Sequence, residues 1–144
     1  MTIELKKIHG WRDMERMLKA LPDKMAVKVM PSAVRASTKP VIKAAKARVP
    51  VETGLLKRTI RYSRAKTKRG MVKYIVGPIK RKGGRDPFYW VWVEYGSKLT
   101  MGPQRPFLRS AFDAKVDETI GAMRHAMFKE IEKQKNKLTD GFLK

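Results

Sequence analysis

Glu94 is the residue in this chain whose setting most invites a chemical reading. It is the one carboxylate inside "FYWVWVEYGS", residues 88–97, the most apolar stretch of a chain with a formal charge of +21. A general base in that position needs a proton donor, a substrate pocket or a second carboxylate, and the sequence offers no second carboxylate to pair with it. In a chain so rich in arginine, the simpler role is a salt-bridge partner near the end of a strand. The aromatic residues around Glu94 raise a different chemistry, because rings set among cations can stack on nucleic-acid bases. Here, however, the rings cluster in the least charged segment and the basic loops carry none. Burying such rings contributes about 1.5–3 kcal/mol each, so Trp90 and Trp92 read as core.

The remaining candidates for chemistry are few. His9 and His125 stand in unrelated contexts, neither with a carboxylate or second histidine at metal-ligand spacing. Gly83 and Gly84 are not followed by the helix, lysine and hydroxyl residue of a phosphate-cradling loop. Ser97 and Ser110 lack a nucleophile elbow or a partner base. With no cysteine, disulfides and thiolate metal sites are excluded. The expectation is a protein with no cofactor, no metal and no enzymatic activity.

The charge points to partners instead. Thirty-four Lys and Arg oppose 13 Asp and Glu, a balance that favours polyanionic or acidic partners and repels copies of the chain from one another. Over residues 35–85 the only acid is Glu52. No apolar run approaches the roughly 20 residues that cross a bilayer, and the N-terminus lacks the pattern of a cleaved leader. The reading is one domain over residues 1–137, with a flexible tail at 138–144.

The elements that must position these residues follow from periodicity. Trp11, Met14, Met17, Leu18 and Leu21 fall on one helical face. From Pro22 a long helical rhythm runs to the residue before Pro50. Pro31 and Pro40 each remove an amide donor, which predicts a kink or break at both. After a junction at Thr53 and Gly54, alternation from Leu56 predicts a strand, the tip "KTKRG", and a second strand around Val72, Tyr74 and Val76. Two mobile basic loops, near 64–70 and 79–87, flank that second strand. Both alternating faces of "FYWVWVEYG" are apolar, which predicts a central strand covered on both sides. A last helix is expected from about Pro106, with Phe107, Ala111, Phe112, Val116, Ile120, Met123, Met127 and Ile131 as its stripe. The fold class is therefore α+β: a small antiparallel sheet of three to four strands, packed by a long kinked N-terminal helix and a long C-terminal helix.

Three segments in this order carry a further signal: "ARVPVETGLLKRTI", "YWVWVEYGS" and "PQRPFLRSAFD". Together they resemble a family of tail-component proteins of long-tailed bacteriophages, described as tail-completion, neck or head–tail joining proteins. The matching positions are Ala47, Pro50, Val51, Thr53, Gly54, Leu56 and Ile60, then Val93, Glu94 and Gly96, then Pro103, Pro106, Phe107, Leu108 and Ala111, with Thr59 where serine is usual. The resemblance spans residues 20–131, and Pro31 departs from it. It implies a structural virion protein assembled in the host cytoplasm. Its copies would form a ring, expected hexameric, at the neck or top of the tail, beside head-closure, tail-terminator or tail-tube proteins, with DNA in the lumen. Contacts are expected at Lys66, Lys68, Arg69, Lys80, Arg81, Lys82 and Arg85. Pro50, Thr53, Gly54, Leu56, Ile60, Glu94, Gly96, Pro106 and Phe107 are expected to shape the fold. The alternative is a small basic protein that contacts nucleic-acid phosphates through the same loops.

Overall fold

Asp23–Arg48 forms one uninterrupted helix, α1, with Pro31 and Pro40 inside it. The computed structural model describes residues 12, 15, 16, 19, 23–50, 54–68, 71–80, 82–84, 86–96 and 103–142, with backbone only at 24 and 137–142. The apolar stripe of residues 11–21 lies outside the described residues. The expected break at the two prolines is not found, although each still leaves a carbonyl one turn earlier without its amide donor. Tertiary packing holds the helix together instead. Val29, Ala33, Thr38, Val41, Ala44 and Ala45 are all buried along one side of α1. Its ends also suit its dipole, with Asp23 in the first turn and Lys46 and Arg48 in the last.

The chain leaves α1 at Val49 and Pro50 and resumes at Gly54, whose φ of 69° is left-handed. There the structure departs from the expected strand. Leu55–Thr59 is a short helix, α2, and only from Ile60 is the backbone extended. The reason is the burial spacing: Leu56, Thr59 and Ile60 are all buried, and steps of three and four residues share one side only in a helical turn. The Thr59 hydroxyl donates to the Leu56 carbonyl at 2.9 Å.

Strands β1 (Ile60–Arg64) and β2 (Tyr74–Pro78) form the expected antiparallel hairpin, with Ile60 opposite Pro78 and Arg64 opposite Tyr74. The ladder continues past both ends, through Ile79 N–H to Thr59 at 3.0 Å and Ala65 N–H to Lys73 at 3.0 Å. Among the described residues these two strands are the whole sheet, so the expected third and fourth strands are not found. The stretch assigned to a central strand is instead a turn at Phe88 and Tyr89 leading into helix α3, Trp90–Tyr95. Two apolar faces satisfy an alternating pattern and a helical one equally. The deciding factor is that only one side of this segment is covered.

The last helical region begins at Phe107 but comes in two parts, α4 (Phe107–Ala114) and α5 (Val116–Phe142). Lys115 separates them, donating its amide to Phe112 at 3.0 Å in a tight turn. Asp117 and Glu118 then occupy the first turn of α5, where acids complement the helix N-terminus. Of the expected stripe, Phe107, Ala111 and Met127 are buried, Val116, Ile120, Met123 and Ile131 half-buried, and Phe112 is exposed; among the described elements, α1 against α5 is the most extensive contact.

Two buried clusters result. Val29 and Ala33 of α1 meet Met127 of α5, with Met123 and Ile131 alongside. Ala44, Ala45, Val49, Leu56, Ile60, Phe107 and Ala111 form the other, joining α1, α2, β1 and α4. Tyr89, Trp90 and Val93 pack against this second cluster. Phe107 is 1% exposed, and large-to-small changes at such sites cost about 3–5 kcal/mol. Phe107→Ala is expected to lower unfolding free energy by about that amount in urea denaturation, and a loss under 1 kcal/mol would contradict this packing.

Candidate assembly interface

Residues 88–95, the turn and helix α3, divide cleanly between two environments. One face, Tyr89, Trp90, Val93 and Glu94, turns to the protein, and Glu94 is 3% exposed. The other face, Phe88, Val91, Trp92 and Tyr95, lies open to solvent at 63%, 42%, 48% and 57%. Their spacing of three and four residues puts them on one side of the helix. Phe88 and Trp92 meet edge to face with ring centroids 5.5 Å apart, and the Arg109 guanidinium lies 5.5 Å from the Tyr95 ring. The assignment of both tryptophans to the core thus holds in part for Trp90, which is half-buried, and fails for Trp92.

Glu94 fixes α3 in place, by a contact different from the expected salt bridge. Its Oε2 accepts the backbone amides of Phe107 and Leu108 at 2.8 and 2.9 Å, and its Oε1 accepts that of Arg109 at 2.9 Å. These are the first three amides of α4, which have no partner within their own helix. Pro106, at the cap position, supplies no side-chain acceptor. A carboxylate 13 residues earlier therefore performs the capping, where its charge also meets the positive end of the helix dipole. A cleft of 370 Å³ lined by Val41, Val76, Trp90 and Leu108 reaches Glu94. Both carboxylate oxygens are already committed to amides, so the arrangement does not suit a general base.

The linker between α3 and α4 is held to match. Gly96 has φ 76° and ψ 168°, a region that essentially only glycine occupies. The Arg105 amide then donates to the Val93 carbonyl at 3.0 Å.

The expected contact residues lie in two places. Lys66 and Lys68 are exposed at the hairpin tip, while Lys80 and Lys82 are exposed just beyond β2, at the opposite end of the same hairpin. A strand of five residues separates them by roughly 15 Å, so the structure does not gather them into one patch. Arg61 donates to the Lys80 carbonyl at 2.6 Å, tying the start of the second loop to β1. Arg69, Arg81 and Arg85 lie outside the described residues, as does Thr53. Of the positions expected to shape the fold, Leu56, Ile60, Glu94 and Phe107 are buried, and Pro50, Gly54, Gly96 and Pro106 are half-buried.

Among the described residues, no three His, Asp or Glu side chains gather as metal ligands, and no helix is long and apolar enough to cross a membrane. The outward aromatic face is what sequence reasoning missed. Its signal was present in the spacing of residues 88, 91, 92 and 95, hidden because residues 89, 90 and 93 are equally apolar.

Residues 12–96 match a family model described as "Bacteriophage HK97-gp10, putative tail-component". No curated protein and no solved structure matches the chain.

The capping contact makes a direct prediction. Glu94→Ala leaves three helix amides unpaired, and is expected to destabilise the fold by about 3 kcal/mol in chemical denaturation, with Glu94→Gln costing less. A substitution that leaves stability unchanged would show that α4 does not depend on this carboxylate.

Proposed function

We propose that this chain, which belongs to the HK97-gp10-like family of bacteriophage tail components, assembles as a ring at the neck or top of the tail and completes it. Membership of a tail-component family supports a structural, non-enzymatic role in the virion. The observation that best supports self-assembly is the open aromatic face of Phe88, Val91, Trp92 and Tyr95. A chain of charge +21 repels its copies, and that repulsion decays only over about 10 Å at 0.1 M salt. Copies associate only if buried apolar surface offsets this repulsion, and the α3 face supplies that surface. A ring closes when this face meets a different surface on the neighbouring copy.

Within that reading, Lys66 and Lys68 lie at the hairpin tip, and Lys80 and Lys82 at its opposite end. The ring thus carries basic groups towards two different neighbours. These are acidic surfaces of adjoining neck or tail proteins, and DNA in the lumen is the alternative contact for either group.

Native mass spectrometry across salt concentrations tests the assembly. The wild-type chain is expected to form a closed oligomer, hexameric on this reading, at moderate salt or with its neck partners. Trp92→Asp combined with Phe88→Asp is expected to shift it to monomer while circular dichroism remains unchanged. A chain that stays monomeric under every condition, with and without partners, defeats the proposal. An oligomer unaffected by the double substitution shows instead that another surface closes the ring.

A further inference from the structure

A second surface shares no lining residue with the aromatic face or with the described residues of the basic loops. Helices α1 and α5 enclose between them an open groove of 620 Å³. One wall carries Arg35, Lys39 and Lys43 of α1, and the other carries Lys129 and Lys133 of α5. All five are exposed. Each row runs at intervals of four residues, about 6 Å apart along its helix.

These cations differ from the groove's own acids. Glu118 is paired with Lys115 and Glu130 accepts from Gln134 at 2.8 Å, whereas none of the five cations forms an ion pair with a described residue. The floor between the walls is apolar and low, made by Ala36, Pro40, Ala122 and Ala126. Small side chains there let a third element approach the two helices closely.

We infer that this groove docks an acidic amphipathic helix of a partner protein. Carboxylates four residues apart on that helix repeat at the same interval of about 6 Å as the cation rows, and its apolar stripe fills the alanine floor. Duplex DNA fits the observations less well. A phosphate backbone gains nothing from an apolar floor. A second copy of this chain fits less well again, because its most acidic run, residues 113–118, contains Asp113, Asp117 and Glu118 with Lys115 among them. The occupant is therefore a different, acidic protein. This inference is independent of whether the copies form a ring.

Fluorescence anisotropy tests it with a synthetic peptide of about 20 residues, some 30 Å long as a helix, with leucine and alanine on one face and glutamate flanking it. A scrambled peptide of the same composition and a DNA duplex of similar length serve as competitors. The amphipathic peptide is expected to bind, more weakly as salt rises. Replacing Lys39, Lys43, Lys129 and Lys133 together with Gln is expected to weaken it on the order of tenfold or more. These side chains are exposed, so the fold should persist, which circular dichroism checks. The scrambled peptide is expected to bind at least about tenfold less tightly. No binding, equal binding of the scrambled peptide, insensitivity to the four substitutions, or displacement preferentially by DNA each overturns the inference.

Discussion

The carboxylate of Glu94 ties helix α3 to the start of helix α4. A helix starting after a proline has free amides at its first turn and no side chain of its own to satisfy them. Here those amides point at a carboxylate from another helix, so α3 and α4 cannot move independently. Phe107, the first residue of α4, is thereby placed in the cluster with Leu56 and Ile60. That cluster joins the hairpin to α1. An electrostatic contact in one place thus helps to seat Phe107, the largest fully buried side chain among the described residues.

The same contact divides α3 into two functional sides. Burying Glu94 requires the helix to lie with Tyr89, Trp90 and Val93 inward, and helical geometry then leaves Phe88, Val91, Trp92 and Tyr95 outward. The exposed face is thus a by-product of the cap, kept in position by it. Gly96, with its positive φ, ends α3, and the Arg105 amide donates to the Val93 carbonyl.

Much of this was legible in the sequence. The long helix ahead of Pro50, the hairpin around Val72, Tyr74 and Val76, and a helix opening after Pro106 all follow from local pattern. The partners of Glu94 do not: the sequence suggests a salt bridge, and a carboxylate that accepts amides from a later helix leaves no periodic trace. The strand assigned to residues 88–95 failed for a related reason. With apolar residues at nearly every position, neither period is favoured, and the outcome depends on what covers the segment. Pro31 and Pro40 show the converse, in that local chemistry opposes the helix while packing against α5 sustains it. The division of the basic residues between two ends of the hairpin, and the meeting of cations from α1 and α5 across a groove, depend on contacts between distant segments.

The pairing of α1 with α5 also has a consequence for how the protein is made. Val29 and Met127, which meet in the core, are roughly 100 residues apart in the chain, and contacts so distant slow folding. Synthesis runs from the N-terminus, so α1 emerges from the ribosome long before the helix that covers it. Until then Val29 and Ala33 have no permanent cover, while the many cations of α1 favour separation of neighbouring nascent chains. The high positive charge thus does for the incomplete chain what the last helix does for the finished one.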